Sequence, residues 1–224
     1  MTHKTVVELI VERHSTRAYL KNEVPDELII EILETARWTP SQKNTQPWNV
    51  EVVKGDSLKK LSDAILDSFR RHEKITPEAE LAPKPLFGEY RQRARDCGVA
   101  LFRLKGITKN DRTARIEHEA ENYKFFGAPV VFLFHLHKDL KAGAFLDLGL
   151  FMQTILILIR ASGLEACPMV SVINYAQAIR SVLLIPDEHI LVSAIAFGYG
   201  DYSAKVNSFR TNRLSLDEFV RWHK

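Results

Sequence analysis

Three apolar segments in the C-terminal half leave this chain few ways to fold. Val130-Val131-Phe132-Leu133-Phe134, opened by Pro129, carries no polar residue, the pattern of a central strand covered on both faces. His189 to Phe197 reads as a second core strand, stopped by Gly198-Tyr199-Gly200. Phe145 to Ser162 is apolar almost all round, which predicts a buried helix ending at Gly163. At 224 residues the chain is long enough to give these segments one substantial core. The remaining periodic segments are mostly helical, and strands are sparse without regular βαβ alternation. An α+β fold is therefore expected, not a doubly wound sheet.

The N-terminal half supplies the covering helices. Thr5-x-x-Glu8 has the form of a capping box, and Val6, Leu9, Ile10 and Arg13 continue at helical spacing, predicting a helix over residues 3–13. Pro25 followed by Asp26 and Glu27 starts a second helix with the stripe Leu28, Ile29, Ile32, Leu33 and Ala36. Asn49 to Val53 is a short strand closed by Lys54-Gly55-Asp56, and Leu58, Leu61, Ile65 and Phe69 mark a further helix. Residues 72–90 hold Pro77, Pro83 and Pro85 among many charges, which predicts a mobile surface loop. Tyr90–Leu104 and Ala114–Phe126 each suit a helix. Gly163 to Val170 reads as a helix cap leading into a strand.

Composition excludes several roles. With 46% hydrophobic and 26% charged residues the chain is globular in type, and a net charge of +3 is too small to make nucleic acid or an anionic membrane the main partner. The uncharged apolar stretch from Leu148 to Ile159 is shorter than the ~20 residues that span a bilayer. Glu8, Glu12 and Arg13 interrupt any N-terminal secretory run. Two cysteines give no disulfide framework or zinc pattern, so a cytoplasmic location is expected, with Cys97 packing on a helix face. His135 and His137 alternate on a strand without a third ligand at metal spacing, and a structural role is expected for them. Asp147 inside the apolar helix needs a partner, most simply a structural one. No G-x-G-x-x-G dinucleotide motif is present.

Two polar clusters carry the chemistry. Arg13-His14-Ser15-Thr16-Arg17 offers two guanidinium forks and two hydroxyls within five residues, a set suited to a phosphate monoester. Its plain alternative is a solvated helix end with cations at the negative pole. Arg210-Thr211-Asn212-Arg213 in the polar tail is a second arginine-bearing segment that could converge on the same anion. Pro40-Ser41-Gln42-Lys43-Asn44-Thr45-Gln46-Pro47-Trp48 presents amides that donate and accept at once, matching the edge of an isoalloxazine, although a plain turn with a packed tryptophan reads the same way. Cys167 beside Pro168 has no acid or histidine neighbour in sequence and is not a nucleophile on this reading.

R-H-S-T-R, P-S-x-x-N-x-Q-P-W, F-F-G-A-P at Phe125 to Pro129, G-L-x-x-C-P and the closing G-Y-G-D with N-S-F-R-T-N-R-L together resemble the flavin-dependent nitroreductase family. The closing segment is similar to the branch that includes nitrobenzoate and other nitroaromatic reductases. The resemblance implies a sandwich with a central, mostly antiparallel sheet flanked by helices, an intertwined homodimer, and one FMN in each interface site. It places Arg13, His14, Ser15 and Arg17 on the phosphate and ribityl chain, with Arg210 and Arg213 completing the phosphate site. Pro40, Ser41 and Gln42 would reach the flavin from the other subunit, with Asn44 and Gln46 nearby, and Ala166, Cys167, Pro168 and Met169 would line the ring. Residues 1–224 would form one FMN-binding domain, with 72–110 as the variable lid or substrate region. The implied activity is hydride transfer from NADH or NADPH through the flavin to a nitroaromatic or related acceptor by a ping-pong mechanism, with no protein nucleophile. A reductive dehalogenase or dehydrogenase could use the same scaffold, and so could a protein that stores or degrades flavin.

Overall fold

The computed structural model describes residues 5–81, 83 and 85–224. Strands β1 (Asn49–Lys54), β2 (Val130–His137), β3 (Glu165–Met169) and β4 (His189–Gly198) form one sheet in the order β1-β2-β4-β3. All three pairings are antiparallel. The two strands predicted from uninterrupted apolar runs are the two central ones, paired from Val130 opposite Phe197 to His137 opposite His189. Both of their faces are covered, which is why their sequences do not alternate.

Helices α1 (Val6–Glu12), α2 (Asp26–Ala36), α3 (Gly55–Arg70), α4 (Gly88–Leu104), α5 (Arg112–Tyr123), α6 (Ala142–Ala161), α7 (Ala176–Arg180) and α8 (Leu216–Phe219) complete the fold. The Thr5 hydroxyl accepts the Glu8 N–H and the Glu8 carboxylate accepts from Thr5, closing the anticipated capping box of α1. That helix stops one residue short of expectation because Arg13 turns extended, at φ −58° and ψ 128°; residues 3 and 4 lie outside the described part. On α2 the stripe buries Ile29, Ile32 and Ala36. α6 packs against α2, α1 and β3, whereas α3 packs against α5, α7 and β1.

Four expectations change. α6 runs over 20 residues, so it is long and apolar enough to cross a membrane by length and composition, contrary to the shorter uncharged stretch. In the fold, Leu148, Phe151, Ile155, Leu156 and Ile159 of this helix are buried in the core, while Leu146 and Leu150 remain exposed. The 72–90 segment is not simply loose: the Thr76 N–H bonds the Asn174 carbonyl, and the Glu78 carboxylate accepts from the Arg180 guanidinium and from the Leu191 N–H. Residues 82 and 84 of that segment lie outside the described part. Cys97 is exposed, because α4 buries only Leu101 and has no packed face for the thiol to join. Finally, the predicted Ala114–Phe126 helix runs from Arg112 to Tyr123 and then tightens into a 3₁₀ turn at Phe125–Gly127, where Phe125 and Phe126 take positive φ.

The end of β4 is closely shut. A Cβ at Gly198 would lie 2.5 Å from Cδ and 2.7 Å from Cγ of Pro129, a ring with no rotamer to escape into. Gly198→Ala should therefore cost about 1–3 kcal/mol through overpacking. Urea unfolding would show this as a lowered midpoint at constant slope; an unchanged midpoint would mean that the β2–β4 junction yields easily.

Candidate functional site: a cationic cleft at the sheet edge

The Arg13–Arg17 segment lies beside the edge strand β3. Thr16 N–H donates to the Ala166 carbonyl at 3.1 Å, and four residues further the Leu20 N–H donates to the Tyr199 carbonyl at 2.8 Å. Extended backbone sends alternate side chains to opposite sides. Thr16 and His14 are buried on one side, and Arg13, Ser15 and Arg17 are half-buried on the other.

The C-terminal tail closes over this segment. Asn207, almost fully buried, accepts the Arg17 N–H at 2.7 Å and donates to the Ala18 and Asp201 carbonyls at 2.8 and 2.7 Å. This clamp brings Phe209, Arg210, Thr211 and Arg213 opposite Arg13, His14, Ser15 and Arg17, around a cavity of about 330 Å³. The two arginine-bearing segments therefore converge, as a phosphate site requires.

The electrostatics fit an anion. One terminal nitrogen of Arg13, Nη1, is buried without a hydrogen-bond partner. Burial, followed by the like charge of Arg213, lowers the Arg13 pKa below its ordinary value. A phosphate would supply the missing acceptor and relieve the repulsion at once. His14 donates from its ring Nδ1 to the Glu12 carbonyl at 3.1 Å, which leaves Nε2 as a buried acceptor without a partner. Its pKa is lowered by burial, against the Glu12 bond, and further by Arg210, Arg160 and Arg13. A neutral imidazole offering a lone pair suits a hydroxyl, as on a ribityl chain, and not a second phosphate oxygen.

Beneath the cleft lies a network that the sequence did not disclose. Glu165, 2% exposed, precedes the proposed ring wall and accepts from Arg160, from the Tyr202 hydroxyl and, at 3.4 Å, from Thr16. Arg160 also bonds Glu12 at 2.9 Å. A Cβ at Gly200 would lie 2.7 Å from Glu165 Cγ, so glycine is what lets the chain pass over this carboxylate. Nothing about these residues in sequence signals the link, since Glu12 and Tyr202 are far from Arg160 and Glu165 and each is an ordinary surface type.

The remaining sequence candidates divide. Ala166, Cys167 and Met169 point into the core, and only Pro168 is exposed on β3, so side chains from this strand offer little ring wall beyond that proline. Burial raises the Cys167 pKa, against the lowering effect of Arg17, which disfavours a thiolate. Trp48 stacks on Phe151 at 4.4 Å, and Phe125 and Phe126 are buried, so all three pack. His135 is held between the His189 ring at 2.7 Å and the Glu51 carboxylate at 3.2 Å.

The Pro40–Gln46 loop is not at the cleft of its own chain. Asp147 holds it, both carboxylate oxygens accepting the Gln42 N–H at 3.2 Å, which gives the buried acid its structural partner. Pro40, Gln42, Asn44 and Gln46 are exposed, and Ser41 is half-buried, its hydroxyl accepting the Gln46 N–H at 2.9 Å. Lys43, Asn44 and Gln46 all take positive φ, so the loop has a specific, strained shape. Asp147 sits near the start of α6 and Arg160, bonded to Glu12 beside the cleft, near its end. With about 1.5 Å of rise per residue, these two anchor points lie about 20 Å apart along the helix.

A profile of the nitroreductase family matches residues 10–199. The 4-nitrobenzoate reductase of Pseudomonas putida is 36% identical over 96% of this chain and 93% of its own length. Among solved structures, the FMN- and NADPH-dependent nitroreductase NfnB from Sphigopyxis sp. strain HMH superposes with a TM-score of 0.94 at 31% identity, covering 99% of this chain and 100% of that one. The FMN-dependent NfnB of Mycobacterium smegmatis, in complex with NADPH, superposes with a TM-score of 0.93 at 30% identity over 97% of each chain. With a converging cationic cleft, an antiparallel α+β sheet and these likenesses across nearly its whole length, the chain belongs to the nitroreductase family.

Proposed function

We propose that this chain is an FMN-dependent nitroreductase that oxidises NAD(P)H and reduces nitroaromatic acceptors, nitrobenzoates among them. The observation that carries the reading is the buried, unpartnered Nη1 of half-buried Arg13, beside Arg213 in a cleft of about 330 Å³. Support comes from relatives whose cofactors are FMN and NADPH and whose acceptors include 4-nitrobenzoate.

FMN, when bound, would supply the redox chemistry that links nicotinamide oxidation to acceptor reduction. The chain's own residues bind and orient. Arg13, Arg17, Arg210 and Arg213 hold the phosphate, and neutral His14 accepts from the ribityl chain. The edge of β3 at Pro168 bounds the ring side of the cleft. Asn207 keeps the tail closed over the phosphate end of the cleft, holding Arg210 and Arg213 opposite Arg13 and Arg17.

The site is completed by a second copy of the chain, on this proposal. An anchor separation of about 20 Å keeps the Pro40–Gln46 loop away from its own cleft, while the partner's loop would reach it. Val6, Val7, Ile10 and Val11 on α1, with Leu146 and Leu150 on α6, form an exposed apolar surface where α1 and α6 touch, of the kind an interface covers. The whole chain acts as one FMN-binding unit, with residues 72–110 forming the region that selects the acceptor.

The test is direct. The purified protein should be yellow, release FMN and not FAD on denaturation, and run in light scattering at about twice the 25.6 kDa chain mass. Initial rates with NADPH and 4-nitrobenzoate should give parallel double-reciprocal lines, the ping-pong signature. A flavin-storing protein would bind FMN without acceptor-dependent NADPH oxidation. Intersecting lines would require a separate nicotinamide site, and a monomer that binds FMN tightly would contradict the shared cleft.

A further inference from the structure

The turn between α4 and α5 forms the walls of a cavity of about 590 Å³, within the range that small-molecule sites occupy. Its floor is apolar, built from Val99, Phe102 and Ile107. Its rim carries Arg95, Arg103, Lys109 and Arg115, and among the described residues no carboxylate lines it. None of these four cations makes an ion pair among the described residues, although acids elsewhere on the same helices do: Glu89 pairs with Arg93, and Glu117 and Glu121 with Lys124. Arg115 lies over the Phe102 ring, 5.0 Å from its centroid, and bonds the Thr108 carbonyl at 3.4 Å, so one guanidinium is already fixed above a face of this ring. The other edge of that floor is ordered too, with the His118 ring edge-on to Phe102 at 5.0 Å and bonded to Lys105 at 2.9 Å.

We propose that this cleft binds an aromatic anion, a flat ring packed among Val99, Phe102, Ile107 and the Arg115 guanidinium, with its carboxylate or phosphate held by Arg103 and Arg115. Cations without carboxylate partners around an apolar floor leave both the rim and the floor open to a ligand. A ring that carries a negative group satisfies both the floor and the rim. A neutral arene would leave the rim uncompensated, and an inorganic anion would leave the floor wet. The site is distinct from the FMN cleft: it shares no lining residue with it, and its anion contacts come from α4 and α5, not from the tail. Two ligands of the proposed reaction carry this chemistry, an acceptor carboxylate and the phosphate-bearing adenosine of the nicotinamide nucleotide.

Calorimetric titration of the FMN-loaded protein with benzoate, with adenosine 2′-monophosphate and with neutral nitrobenzene tests the proposal, on wild type and on the Arg103→Ala/Arg115→Ala double variant. At least one anion should bind wild type and lose about tenfold or more in affinity in the variant, with nitrobenzene unaffected. A loss for benzoate identifies the acceptor carboxylate, and a loss for the nucleotide identifies the nicotinamide substrate. If neither anion binds, if neither weakens, or if nitrobenzene weakens as much, the proposal is overturned. Should the double variant unfold, Arg95→Gln on the exposed face of α4 takes its place and should weaken the same anion. Flavin absorbance recorded in each sample keeps this result separate from the cofactor assignment, because the titration reads no turnover.

Discussion

Arg13→Ala should weaken FMN binding roughly ten- to hundredfold, the effect of losing a charge-assisted hydrogen bond of about 1.5–3 kcal/mol. Fluorescence titration of the apoprotein with FMN measures it, with Lys54→Ala as control. Lys54 contacts Asp26 at the surface, a pair worth little, and its loss should leave FMN affinity unchanged. A second reading makes the experiment decisive. In the absence of FMN, half-buried Arg13 lies beside Arg213 with one buried nitrogen unpartnered, so its removal should leave the apoprotein as stable as wild type or more so. A variant that binds FMN normally, or that loses apo stability and FMN affinity together, would show Arg13 to be a packing residue.

Glu165→Gln should be the most destabilising polar substitution near the cleft. It removes the charge from a buried partner and leaves Arg160, itself largely buried, facing a neutral amide. Breaking a buried pair in this way costs about 3–5 kcal/mol, which for a chain of this size lowers the melting temperature by roughly 10 °C or more. Tyr202→Phe, which removes one neutral donor, should cost about 1 kcal/mol. Adding Arg160→Gln to Glu165→Gln should recover part of the loss, because the buried charge left facing the amide is then gone. Additive losses in the double variant, measured by chemical unfolding, would show that the two residues act independently and that β3 is not held through this pair.

The elements that were legible in sequence are those whose signals are local or depend on composition alone. Thr5 and Glu8 cap α1 through each other, three residues apart, so nothing distant had to be known. The apolar runs of β2 and β4 could only be central strands, and they are. Arg13, Ser15 and Arg17 lie together because an extended chain places alternate residues on one side, and their chemistry was visible as a set. Cys97 was misjudged for the opposite reason: whether a helix face is covered depends on what packs against it, and almost nothing packs against α4. The 72–90 segment looked loose because prolines and charges favour loops, yet Glu78 binds Arg180, a partner about a hundred residues away.

The sequence by itself determined the α+β class, the two central strands, the long buried helix and the two residue sets suited to a phosphate and a flavin edge. Each rests on periodicity or residue chemistry within a window of at most about twenty positions, which short-range physics is enough to read. Tertiary structure alone decided that Asn207 clamps the tail so that Arg210 and Arg213 meet Arg13, and that Glu165 ties Arg160, Tyr202 and Thr16 beneath the cleft. It also decided that Asp147 holds the Pro40–Gln46 loop at the far end of α6. Most of these contacts join residues more than a hundred positions apart. Their energies depend on burial and direction, which the order of the residues does not record until the sheet and α6 have fixed where each segment ends.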